Sequence, residues 1–271
     1  MTWVAAVARL RARRESGVLV TVATVRGHAP RDAGAKLVVG QTETWGSIGG
    51  GNVEAVAIDR ARQMIAVSKP EPEPELIDFA LNDKVTNQHG VQCCGGTVSV
   101  LLEPLPVVRA VAIFGIGHVG LELARILARQ DLDLHLIDTR SDILTEERLD
   151  VLADAVAKVH VHHTPLLPEE VLAELPRGTH ILIMTHDHAE DAALCDAALR
   201  TTHLGSIGLI GSAAKWVRFR KRLATEGGHD EATIDRIKTP IGLADITGKE
   251  PATIAVSVAA DLLRTFETEG N

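Results

Sequence analysis

The spacing of apolar positions divides the chain into two regions of different character. Residues 3–13 (WVAAVARLRAR) carry apolar side chains at helical spacing, with arginines near the C-terminal end where the helix dipole favours cations. Residues 17–25 (GVLVTVATV) are a β-branched run and read as a strand. A loop, RGHAPRDAGAK (26–36), follows with Pro30 and Gly34 as turn formers, then a short strand, KLVVG. TWGSIGGGNVE (44–54) places Gly49, Gly50 and Gly51 directly before VEAVAIDRARQMIAV, which returns to helical spacing. SKPEPEPE (68–75) alternates proline and glutamate and reads as an exposed loop. VQCCGGTVSV (91–100) ends in an alternating, strand-like run.

Beyond Pro104 and Pro106 the pattern becomes near-continuous apolar strands with helices between them. The strands are 107–115, 132–140, 158–163, 180–188 and 205–212, and a last helix opens at Pro251. Such strands belong to a parallel sheet covered on both faces. The expected class is therefore α/β. An N-terminal mixed α/β domain (1–106) precedes a Rossmann-like parallel-sheet domain with a C-terminal helix (107–271).

Composition narrows the function classes. Aromatic residues make up 3% of the chain, with no tyrosine, which removes the stacking platform of a single-stranded nucleic-acid binder. A net charge of −8 argues against a phosphate-backbone partner. No apolar run reaches the length of a membrane span. Three cysteines at uneven spacing suit a reducing compartment, and a cytoplasmic location is expected.

The clearest chemistry lies in FGIGHVG (114–120). Gly115, Gly117 and Gly120 form G-x-G-x-x-G after a strand and at the start of a helix. The first glycine makes the tight turn, the second admits a phosphate, and the third lets helix and strand pack. Asp138 ends the next strand, where an acid would bond a ribose hydroxyl, while Arg140 could meet a phosphate instead. His186, Asp187 and His188 follow the fourth strand at the ligand end of such a sheet; Asp187 either faces ligand or caps the next helix. Gly211 and Lys215 mark another strand–glycine–helix turn, either a second anion seat or simply a turn. The run Gly49–Gly50–Gly51 opens a helix and reads as an anion seat. HVHH (160–163) lacks a further ligand at metal spacing, its imidazoles are split over two faces, and it reads as a surface or edge strand. In the CCGG stretch neighbouring side chains point apart, so at most one of Cys93 and Cys94 faces a site.

Together these blocks resemble the xanthine dehydrogenase accessory protein family, XdhC/CoxI. The resemblance rests on the loop holding Gly27, Pro30, Arg31, Gly34, Ala35 and Lys36, on GSIGGGNVE ending at Glu54, and on Cys94, Gly95 and Gly96. FGIGHVG, THDHAEDAAL, GLIGSAAKW and the closing PIGLADITGKEPATIAVSVAADLL complete it. It implies a CoxI-type N-terminal domain and a chaperone that turns over nothing itself. Such a protein binds molybdenum cofactor in its molybdopterin form, protects it during sulfuration by a cysteine desulfurase, and inserts it into a xanthine dehydrogenase-type hydroxylase. On that resemblance Cys94 contacts molybdenum, since soft thiolates suit that metal, and a homodimer is expected. Two other classes fit the Rossmann residues: an NAD(P)-dependent oxidoreductase and a nucleotide-sensing module.

Overall fold

The computed structural model describes residues 1–67, 73–81 and 96–270, and within these the chain forms two compact units. The first comprises Met1–Val107 with residues 268–271; the second is Val108–Glu267.

In the first unit α1 (Trp3–Arg13) leads into β1 (Gly17–Arg26), β2 (Lys36–Val39), β3 (Thr44–Gly46), α2 (Gly51–Ala66), β4 (Glu75–Ala80) and β5 (Thr97–Leu105). The strands form one antiparallel sheet in the order β3-β2-β1-β5-β4. Alternation decides its two faces. Val18, Val20 and Val22 of β1 join Leu37 and Val39 of β2 and Val98, Val100 and Leu102 of β5 on one side. There Val53, Ala57 and Ala61 of α2 cover them. Val38 points the other way and meets Ala6 and Leu10 of α1. The small residues of α2 let the helix lie close to the branched sheet surface.

The second unit contains β6 (Ala110–Phe114), α3 (His118–Leu127), β7 (Asp133–Asp138), α4 (Glu146–Leu149), β8 (Lys158–His163), α5 (Val171–Glu174), β9 (His180–Ile183), α6 (His188–Arg200), β10 (Ile207–Leu209), α7 (Ala213–Thr225), α8 (Glu231–Ile234), β11 (Ile237–Lys238) and all but the last turn of α9 (Pro251–Gly270). Its six strands are all parallel, in the order β11-β10-β9-β6-β7-β8. The order reverses at β6, so the crevice of this doubly wound sheet opens at the C-terminal end of that strand. All five residues of β6 are buried, with core clusters on both faces of the sheet.

Two details depart from the sequence reading. The sixth strand, β11, is only two residues long and leaves no periodic signal. Strand β8 is an edge strand, as read, but His160 and His162 share one face of it rather than being split. His135 of β7 stacks on both, with ring centroids 4.5 and 5.3 Å away, and its Nδ1 is 3.0 Å from His162 Nε2. Among the described residues no group of three His, Cys, Asp or Glu is placed to hold a metal.

A buried ion pair ties the far half of the sheet together. Asp191 of α6 is fully buried and Lys215 of α7 is 6% exposed; Lys215 Nζ donates to Asp191 Oδ2 at 2.5 Å and to the Ile210 carbonyl at 2.9 Å. Asp191 Oδ1 accepts from the Thr185 amide and hydroxyl at 3.0 and 2.8 Å. Breaking one side strands a charge in the core. Lys215→Met is expected to cost about 3–5 kcal/mol in urea unfolding, with partial recovery in Lys215→Met/Asp191→Asn. A single variant within about 0.5 kcal/mol of wild type would show that the pair is not a structural tie.

Candidate functional site

Each unit has a helix opened by glycines, and the two openings differ in what fills them. In the first unit Gly49, Gly50 and Gly51 all have positive φ and lead into α2, whose cap, Gly50, offers no side chain. The amides are nevertheless engaged. Glu54, one turn into the helix, folds back so that its Oε2 accepts from the Ile48 amide at 2.9 Å, the Gly50 amide at 3.0 Å and the Ser47 hydroxyl at 2.6 Å. Ser47 in turn accepts from the Gly49 amide at 3.1 Å. The anion seat read from the glycine run is thus filled by the chain's own carboxylate. Partial burial pushes the Glu54 pKa up, but the Ser47 hydroxyl and the backbone amides outweigh it and hold the group below the usual glutamate range.

This turn is where the N-terminal blocks meet. A Cβ on Gly49 would lie 2.8 Å from Pro30 Cβ and 3.3 Å from Arg31 Cγ, so only glycine lets the turn pack on that loop. A Cβ on Gly96 would lie 2.3 Å from the His28 carbonyl oxygen and 2.7 Å from that of Arg26. Gly96 is therefore present for close approach of two backbones. The structure brings Gly96, the loop of Arg31, and the turn of Gly49–Glu54 together at one end of the sheet. Arg31 is exposed there. Cys93, Cys94 and Gly95 precede Gly96 and lie outside the described residues.

In the second unit the three glycines divide their work as the motif requires. Gly115 has φ of +99°, and its Cβ would collide with the Met184 carbonyl oxygen at 2.4 Å. Gly120 packs its α-carbon against the Gly115 carbonyl, where a Cβ would lie 2.1 Å from the oxygen. Nothing lies within 4 Å of the Cβ position of Gly117. That glycine caps α3 without a side-chain hydrogen bond, and the first turn of the helix holds no acidic residue. Free amides and the positive dipole end therefore face open space.

Asp138 is 3% exposed and fully engaged. Oδ2 accepts from the Ile116 amide at 2.8 Å and Arg140 Nη2 at 2.9 Å; Oδ1 accepts from Arg140 Nε at 2.9 Å and the Arg140 amide at 3.0 Å. Burial pushes its pKa up, yet the Arg140 fork and the two amides hold it below the usual aspartate range. Its oxygens here anchor the glycine loop and Arg140, at the strand end where the sequence places a ribose acceptor. Lys215 is committed to Asp191, and its stem occupies the space beside Gly211. Asp187 caps α6, its Oδ1 accepting from the Ala189 amide at 2.7 Å, while His186 and His188 are exposed beside it.

Two residues of the crevice escaped the sequence reading. Arg148 on α4 donates from Nη2 to the Ile116 carbonyl at 3.3 Å. Glu190 accepts from the Thr139 hydroxyl at 3.4 Å, linking the segments that follow β9 and β7 across the end of β6. Burial, reinforced by Asp138, raises the Glu190 pKa despite the opposing pull of His186. Arg148 has no motif, since α4 has only four residues, and Glu190, though inside THDHAEDAAL, looks like an ordinary first-turn acid.

Glu54 and Glu190, shifted in opposite directions, make opposite demands on pH. Glu54, with a lowered pKa, contributes stability above the ordinary glutamate range that is lost as pH falls through its folded value. Glu54→Gln should cost about 1–2 kcal/mol in urea unfolding at about pH 7, with the gap closing by about pH 3. A gap that is absent at neutral pH, or constant with pH, contradicts the capping role.

Comparison with known proteins follows the same two-unit division. A family model described as the XdhC Rossmann domain matches residues 111–262, and one described as the XdhC and CoxI family matches residues 10–79. The uncharacterized protein YqeB of Escherichia coli K12 is 26% identical over 239 residues, or 88% of this chain. The chain spans 41% of that relative's length. A solved structure described as a xanthine dehydrogenase from Bacillus halodurans aligns over 99% of this chain and 96% of its own, at 19% identity and a TM-score of 0.48. With both units matched, and the Rossmann match covering more than half its length, this chain belongs to the XdhC and CoxI family.

Proposed function

We propose that this protein is a maturation factor for a molybdenum hydroxylase: it holds molybdenum cofactor as cargo and passes it to a client of the xanthine dehydrogenase type. Family membership supports the general role in molybdenum hydroxylase maturation. The observation that carries the finer reading is the convergence of Gly96, the Arg31 loop and the Gly49–Glu54 turn at one end of the first unit. Residues far apart in sequence are held together there by contacts only glycine permits, an arrangement suited to a rigid binding cradle.

On this reading Cys94, two residues before Gly96, supplies a soft sulfur ligand to molybdenum. Arg31, exposed on the loop against Gly49, is placed for anionic oxygens of the cargo. Glu54 fixes the turn through Oε2, which accepts from Ser47, Ile48 and Gly50, and its other oxygen can meet the cargo. A cysteine desulfurase acts on the cargo while it is held, and the protein works as a cytoplasmic homodimer. No described helix is long and apolar enough to cross a membrane. The oxidoreductase reading rests on Gly115, Gly117, Gly120 and Asp138, and the oxygens of Asp138 accept here from Ile116 and Arg140.

The reading is tested on protein purified without oxygen from a cofactor-producing host. Molybdenum is measured by mass spectrometry and pterin by fluorescence after oxidation. Matching amounts of both in the wild type, lost in Cys94→Ala, are expected. Neither in the wild type, or a variant with wild-type content, overturns the proposal.

A further inference from the structure

The two edges of the parallel sheet are unequal. Strand β11 closes one edge with only two residues, too short a template for pairing. Strand β8 closes the other with six, in unbroken register on β7, and no described strand pairs with its outer side. The direction of its free groups follows from its ends. The Lys158 amide donates to the Leu132 carbonyl and the Thr164 amide to the Asp138 carbonyl, both toward β7. Alternation along the strand then turns the amides and carbonyls of Val159, Val161 and His163 outward.

The usual safeguards of an edge are missing from these residues. The strand has no proline and no bulge, and its one lysine stands at the first position. No acid occurs from 155 to 168, in a chain of net charge −8. Apolar side chains instead face water along the strand and at both its ends: Val156 is 60% exposed, Val161 48% and Leu166 81%. Leu167 is 55% exposed and holds a φ of +55°, against the preference of a leucine. Exposed apolar surface gathered in one place marks a contact with another protein.

We propose that β8 is the contact between two copies of this chain, paired antiparallel across a two-fold axis into one continuous sheet. A second copy is the occupant because the edge is complementary to itself. Bonded pairs of an antiparallel ladder join residues whose groups point outward on both sides. The register that uses all three such residues pairs Val159 with His163 of the second copy and sets Val161 on the axis, against its own counterpart. The same register brings Leu166 toward Val156 of the second copy. It sets Lys158 against Thr164, at the far end from the other lysine. It also places His160 beside His162 of the second copy, which extends the imidazole stack. With no acid on this stretch, two molecules of negative net charge meet there without local repulsion. The inference rests on the homodimer of the proposed function and names its surface.

The test is sedimentation velocity of the full-length protein over a range of micromolar concentrations, with circular dichroism to show that each variant is folded. The wild type is expected to be a dimer. Val161→Lys and Val161→Glu each place like charges on the axis. Each should raise the dimer dissociation constant about a hundredfold, and their equimolar mixture should recover the dimer. Val217→Lys, at a valine 68% exposed on α7, should leave the dimer intact. A dimer that survives both changes at Val161, that is lost equally in Val217→Lys, or that the mixture fails to restore overturns the edge contact and leaves the homodimer standing. A monomeric wild type overturns both. None of these measurements involves molybdenum, so their failure is separate from failure of the maturation reading.

Discussion

A single carboxylate separates two otherwise similar pieces of backbone. Helices α2 and α3 both start at glycines and both begin with amides that lack helical partners. At α2 the Glu54 side chain closes the turn on itself. At α3 no side chain does so, and the nearest acid, Asp138, is engaged by Arg140 and Ile116. This difference leaves the start of α3 without a side-chain cap and makes the first unit's turn rigid packing for the Arg31 loop and Gly96. The rest of the functional account depends on it.

Much of the architecture follows from local patterning. The strands of both sheets show either clean alternation or short continuous apolar runs, and the glycine spacing of 115–120 has one physical solution after a buried parallel strand. What escaped was decided by long-range partners. Glu54 carries no mark in the sequence that distinguishes a cap from a ligand; only its distance to Ile48 and Gly50 does so. Asp138 sits where a ribose acid belongs, and only the structure shows that the fork of Arg140 two residues later engages both its oxygens. Lys215 looks like an anion seat until Asp191, 24 residues earlier, is found against it in the core. Arg148 emerges only because α4 returns to Ile116 across 32 residues of chain.

The same logic accounts for groups that have chemistry but no evident task at a site. Cys195 is buried against the sheet and its thiol is pushed up to about 12, mainly by burial and also by Asp191, so it behaves as a small core residue. The imidazoles of His135, His160 and His162 stack on one face of the β7–β8 pair, and burial followed by His160 lowers the His162 pKa. The stack packs as an aromatic surface, which suits an edge strand with little apolar sequence of its own.

The most direct measurement of the central difference is amide hydrogen exchange, followed by NMR, in ¹⁵N-labelled wild type and Glu54→Gln. The account predicts protected Ile48 and Gly50 amides in the wild type that exchange faster in the variant, with the amides at the start of α3 unchanged between the two. Equal exchange of Ile48 and Gly50 in both proteins would contradict it.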